Sequence, residues 1–132
     1  NNNNNNKKKI IIFFAKIKTL QYMSKFLKQQ QQGCRHHHHV LELHSQMPQA
    51  IREEHLDQFK KSRSSSSIHI LLATDIAARG IHIDHIPYII NYDFPSNLEQ
   101  YVHRCGRAGR GGGESSSSSS SITTTKKPSN SN

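Results

Sequence analysis

The strongest constraint in the sequence is a run of five consecutive β-branched and aromatic residues, Ile10-Ile-Ile-Phe-Phe14. It lacks the apolar/polar alternation of a half-exposed strand, so both faces of a strand formed here need cover. A parallel sheet flanked by helices provides it. Helical periodicity follows at once. From Ile17 to Lys28 the residues Leu20, Met23 and Leu27 fall on one stripe, with Lys18, Lys25 and Lys28 at other angles. The pattern then recurs. Val40-Leu-Glu-Leu43 predicts a second strand. Pro48, at a first helical position, opens a helix whose stripe is Ile51, His55, Leu56 and Phe59. Ile68-His-Ile-Leu-Leu72 predicts a third strand and Ile86 to Asn91 a fourth, with Pro87 near its start. Ser96-Asn-Leu-Glu99 has capping-box spacing for a helix through about Cys105. Strand and helix alternate throughout, which predicts a three-layer α/β fold with a parallel sheet and helices on both faces.

Mean hydropathy is −0.76 and the apolar content only 33%, low for a globular domain. The shortfall is local: homopolymer runs at 1–6, 29–32, 36–39, 64–67 and 115–121 hold 25 of the 132 residues. One domain is expected over 10–114, with low-complexity loops at 29–39 and 61–67, between a disordered Asn/Lys-rich tail at 1–9 and a disordered Ser/Thr-rich tail at 115–132. No apolar stretch approaches the ~18 residues of a membrane span, so no membrane partner is expected. The chain has no leader pattern and no initiator Met, and two cysteines make no disulfide framework. An intracellular fragment or processed chain with reduced thiols is expected, in nucleus, nucleolus or cytoplasm.

Eighteen Lys and Arg against nine Asp and Glu give a formal charge of +9, which suits a polyanionic partner. The basic groups cluster in His103-Arg-Cys-Gly-Arg-Ala-Gly-Arg110. Arginine forks pair bidentately with phosphate oxygens, and glycine allows close backbone approach; charge alone does not separate this from a solvated basic loop. A second stretch, Ala73-Thr-Asp-Ile-Ala-Ala-Arg-Gly80, follows a buried strand, where α/β sheets carry their chemistry. Thr74 and the backbone near Gly80 suit a sugar-phosphate chain and Asp75 could orient an arginine, while a Thr-Asp pair after a strand is more often a helix cap than a site.

In this order and spacing, these segments resemble the C-terminal RecA-like domain of DEAD-box RNA helicases, over about Ile10 to Gly113. Ile11-Ile-Phe-Phe14 is similar to motif IV and Gln49-Ala-Ile-Arg52 to the Gln-x-x-Arg element. Ala73 to Ile83 resembles motif V, and His103 to Arg110 resembles motif VI. Joining segments agree: His44-Ser-Gln-Met, Phe59 and Ile89-Ile-Asn-Tyr-Asp-Phe-Pro95. The resemblance implies that Arg107 and Arg110 are arginine fingers for the γ-phosphate of ATP. It implies that His103 and Arg104 link two domains, that Asp75 helps orient those contacts, and that Thr74, Arg79 and Gly80 touch RNA backbone with Gln49 and Arg52 in support.

Four departures accompany it. There is no phosphate loop and no Asp-Glu-Ala-Asp element, so ATP and Mg²⁺ are expected only with a first RecA-like domain, and the chain alone is expected to hydrolyse no ATP. His82 stands where the family has an aspartate on the ATP ribose. Lys16 and Ser45 replace the usual threonine and glycine. The last strand and helix are not recognisable, although Ile122-Thr-Thr-Thr125 has strand character. Two rivals stay open: an inert RNA- or partner-binding module, and a metal site at Cys34 and His36 to His39. Adjacent histidines lack structural zinc spacing, so no metal is expected there.

Overall fold

A computed structural model describes residues 8–31, 37–62, 66–79, 81–83 and 86–106. Eight elements follow in order: β1 (Lys9–Phe14), α1 (Ile17–Gln29), β2 (His38–Leu43), α2 (Gln49–Lys61), β3 (Ile68–Thr74), α3 (Asp75–Ala78), β4 (Tyr88–Asn91) and α4 (Leu98–Cys105). The strands form one parallel sheet in the order β2-β3-β1-β4. The expected α/β architecture is therefore present, with the run that opened the sequence at its centre. β1 pairs with β3 over Lys9↔His69 to Phe14↔Thr74, and with β4 over Ile10↔Tyr88 to Phe13↔Asn91.

The absence of alternation in β1 now has its explanation. Ile11 and Phe13 join Leu43, Leu71, Ala73, Phe59 of α2 and Ala77 and Ala78 of α3 in one core. Phe14 joins Val40, Ile70, Leu72 and Leu20 of α1 in the other, with Ile12 packed against it. Going from β1 to β2 the chain steps across the sheet in one direction, and from β2 to β3 it steps back. Connections of a single hand must then lie on opposite faces, and α1 and α2 do so.

On the α1 side β2 carries a charge inward. Ser24 Oγ donates to Glu42 Oε1 at 2.5 Å, Lys28 Nζ lies 3.1 Å from the same oxygen, and His44 Nε2 is 3.5 Å from Glu42 Oε2. Burial pushes the Glu42 carboxyl up, but the Ser24 hydroxyl, Lys28 and His44 together bring it below its ordinary value. On the other side, His55 Nδ1 donates to the Glu42 carbonyl at 2.8 Å, tying α2 to the same strand.

Several boundaries differ from expectation. β1 begins at Lys9, placed by sequence in the tail, because its ammonium reaches the Lys60 carbonyl at the end of α2 (2.9 Å) and lies over the Phe59 ring. The 29–39 loop gives up Gln29 to α1 and His38 and His39 to β2, where they pair in register with Ile68 and His69. The His39 and His69 rings stack with centroids 5.1 Å apart. Burial, then His39 and Lys9, lower the His69 pKa, favouring its neutral form. Likewise Lys61 belongs to α2, and β3 runs on to Thr74.

Pro48 is the N-cap of α2 rather than its first residue, its carbonyl accepting from Ile51 and Arg52. The capping box of α4 sits one residue later than the spacing suggested: Asn97 Oδ1 accepts from the Gln100 amide, and Gln100 Oε1 accepts from both Ser96 N and Ser96 Oγ. Residues 1–7, Cys34, His36 and the C-terminal tail with Ile122 to Thr125 lie outside the described residues. Among the described residues, no helix is long and apolar enough to cross a membrane and no group of three His, Cys, Asp or Glu could hold a metal ion.

The depressed Glu42 pKa has a sign. A carboxylate held below its unfolded value contributes stability that is present above about pH 4.5 and lost as pH falls through the folded value. Glu42→Gln is therefore expected to cost about 1 kcal/mol at neutral pH. Urea denaturation as a function of pH should show wild type and variant converging below pH 4.5; parallel curves would contradict it.

Candidate active-site rim and nucleic-acid interface

Every strand ends at one rim of the sheet, and Thr74 and Asp75 lie there. Thr74 closes β3 opposite Phe14, and His44 lies one residue beyond the Leu43↔Ala73 pair. Thr74 is the N-cap residue of α3 but makes no side-chain cap bond, and it is buried. α3, a single turn where the Thr-Asp pair suggested a helix cap, starts with Asp75.

Asp75 meets the one buried arginine of the described residues. Arg104, 2% exposed, donates through Nε to Asp75 Oδ1 at 2.7 Å and through Nη2 to Asp75 Oδ2 at 2.5 Å. Its Nη1 donates to Asn91 Oδ1 at 2.8 Å and to the Asp93 carbonyl at 2.9 Å. The guanidinium also lies 4.9 Å from the centre of the Phe13 ring, within cation–π range. A desolvated guanidinium needs its charge matched and its donors paired; here Asp75 matches the charge and four of the five donors are paired.

The Arg104 side chain turns inward and joins α3, β4 and α4 of its own domain. Asp75 does orient an arginine, as its residue type suggested, and that arginine is Arg104. The sequence reading missed Asn91 and Asp93. The available signal was a polar residue at the end of an otherwise apolar strand, Tyr88-Ile-Ile-Asn91. Asp93 also uses Oδ2 to accept from the Ala15 amide at 2.8 Å, closing the turn after β1.

Around this latch lies a cleft of about 90 Å³, lined by Phe13, Asp75, Ala78, Arg79, His103 and Arg104 among others. Arg79 and His103 are exposed. The first turn of α2 holds Gln49, whose side-chain amide donates to Glu53, and Arg52. α2 has neither a side-chain cap nor an acidic residue in its first turn. Among the described residues, Arg52 Nε and His44 Nδ1 are buried polar atoms without a hydrogen-bond partner. His82 is exposed and does not line the cleft. Gly80, Arg107 and Arg110 lie outside the described residues, as do Asp84 and the segment from Arg107 onward.

The helicase conserved C-terminal domain family matches residues 2–112. The chain belongs to this family. The helicase C-terminal domain is 50% identical over 72 residues to the ATP-dependent RNA helicase DBP2 of Candida albicans, covering 54% of this chain and 12% of that protein. It is 60% identical over 62 residues to a probable ATP-dependent RNA helicase ddx5 of Dictyostelium discoideum, covering 47% and 8%. Among solved structures, domain 2 of the DEAD-box helicase Mss116p bound to an RNA duplex superposes with a TM-score of 0.66 at 31% identity, over 83% of this chain and 40% of that one. The helicase C-terminal domain is thus a RecA-like domain of the DEAD-box type, and spans about a tenth of the curated relatives it matches.

Removing the partner of a buried charge leaves it uncompensated, at a cost of about 3–5 kcal/mol. Asp75→Asn, which keeps the shape and loses the charge, should lower the urea midpoint accordingly, while Asp57→Asn on exposed α2, paired with Lys61 at 2.7 Å, should change it by under ~1 kcal/mol. Equal effects from the two would show that the latch does not hold the domain together.

Proposed function

We propose that the chain is the C-terminal half of an ATP-dependent RNA helicase motor, gripping the RNA backbone along its C-terminal rim and supplying Arg107 and Arg110 to ATP held by a first RecA-like domain. The observation that carries this is the Arg104 latch. It clamps the post-β3 segment to the last turn of α4, so the Thr74 to Arg79 stretch and the end of α4 are held together.

Support for RNA comes from the rim. The uncapped first turn of α2 presents amide groups with positive dipole character. Arg79 is exposed at the cleft. Contacts of this kind read backbone and not base sequence.

The rim cleft does not fit a nucleotide or Mg²⁺ on its own. The cleft of about 90 Å³ is well below the ~300 Å³ of a small-molecule pocket, and the Asp75 carboxylate is committed to Arg104. ATP and Mg²⁺ therefore belong, in this proposal, to the partner domain, and this chain contributes cationic groups that arrive from across an interface.

Phosphate release provides the test. The 132-residue chain is expected to show no RNA-stimulated ATPase activity. Joined to a first RecA-like domain bearing a phosphate loop, it should become active, and Arg107→Ala should then lower kcat by about 10³-fold or more. His82→Asp in the joined protein should tighten ATP binding. An inactive joined protein that still binds RNA would favour an inert binding module.

A further inference from the structure

The rim leaves one basic surface unexplained. α1 carries no acidic residue, and four lysines lie between Lys16 and Lys28. At 100° per residue, Leu20, Met23, Ser24 and Leu27 turn toward the sheet, and Lys18, Tyr22, Lys25 and Gln29 form a stripe on the opposite side. All four are exposed, Tyr22 at 71%, and Phe26 flanks them at 44%. Lys28 is drawn aside to Glu42, whereas Lys16, Lys18 and Lys25 have no ion-pair partner among the described residues.

We propose that this outer face of α1 binds single-stranded RNA running on from the C-terminal rim. The inference rests on the reading of that rim as an RNA surface. Two observations select this occupant. The first is charge: a helix face with lysines and no carboxylate complements a polyanion and repels a basic partner. The second is continuity: α1 starts directly after β1 at the rim, with exposed Lys16 as its N-cap residue and no side-chain cap, and runs back along the sheet. A strand leaving the rim would meet Lys18 first and Lys25 about 10 Å farther on, with the Tyr22 and Phe26 rings, about 6 Å apart along the axis, available to stack on bases. Lysine and aromatic side chains interleaved in this way are the means by which proteins hold single strands without reading sequence.

The experiment uses the 132-residue chain and two labelled oligouridines, of about 5 and 16 nucleotides, chosen to span one binding site and a longer track, with anisotropy read across a salt series. Lys18→Gln/Lys25→Gln should reduce the slope of log K against log salt by about 1.4 for the long oligonucleotide. Tyr22→Ala should weaken its binding about five-fold or more. Neither change should affect the short one, and circular dichroism should be unaltered because the side chains are exposed. If both variants bind the long oligonucleotide as wild type does while Arg79→Gln weakens both lengths, the α1 surface is refuted and the rim stands. If the wild-type chain binds neither, both readings fall. Self-association abolished by Tyr22→Ala with RNA binding unchanged would assign the face to a second copy and overturn the proposal.

Discussion

A single guanidinium joins three stretches of chain that are distant in sequence. Arg104 near the end of α4 takes both oxygens of Asp75 just after β3, and the side chain and backbone of Asn91 and Asp93 at the end of β4. A buried ion pair of this kind contributes modestly to net stability, because desolvation offsets much of the attraction. Its geometric effect is larger. Five directional donors on a planar group accept few arrangements, so satisfying four of them with fixed acceptors sets the relative position of α3, β4 and α4 to within hydrogen-bond tolerance. The cleft and its exposed Arg79 and His103 take their shape from that constraint.

The layers beneath it are held differently. α2 packs through Phe59 and Leu56, and α1 adds to Leu20 and Leu27 a polar contact through Ser24 and Lys28 to Glu42. Glu42 thus lies between Leu41 and Leu43 of β2, and it is tolerated because a hydroxyl, an ammonium and an imidazole surround it. One face of the sheet rests mainly on burial and the other on burial with a local network of charges.

The sheet was legible in the sequence because its signals are local. Five unalternated apolar residues require cover on both sides, and stripes such as Leu20, Met23 and Leu27 can only be helical. What failed to show was decided by partners far away. His38 and His39 sit in a homopolymer that carries no strand signal, and they extend β2 because Ile68 and His69 offer backbone groups in register. α3 has no apolar stripe of its own; its Ala77 and Ala78 pack into the core and Asp75 is held by Arg104 from 29 residues away. Arg104 itself sits among other arginines and so reads as surface charge. Only the three acceptors converging on it mark it as interior, and two of them, Asn91 and Asp93, lie in a segment whose polarity looked incidental.

The order of strands has a consequence for how the chain assembles. β1 is made early yet stands in the middle of the sheet, with β3 on one side and β4 on the other and no pairing to β2. During synthesis, Ile10 to Phe14 must wait for Ile68 to Thr74 before its backbone finds a partner. Long-range parallel pairing of this kind is slow, and an unpaired apolar strand is prone to join another chain in the meantime. The segment that most strongly specifies the fold is thus also its most exposed point during biosynthesis, and the polar, lysine-bearing residues just before it, Asn1 to Lys8, are of the type that keeps such a strand from aggregating until its neighbours arrive.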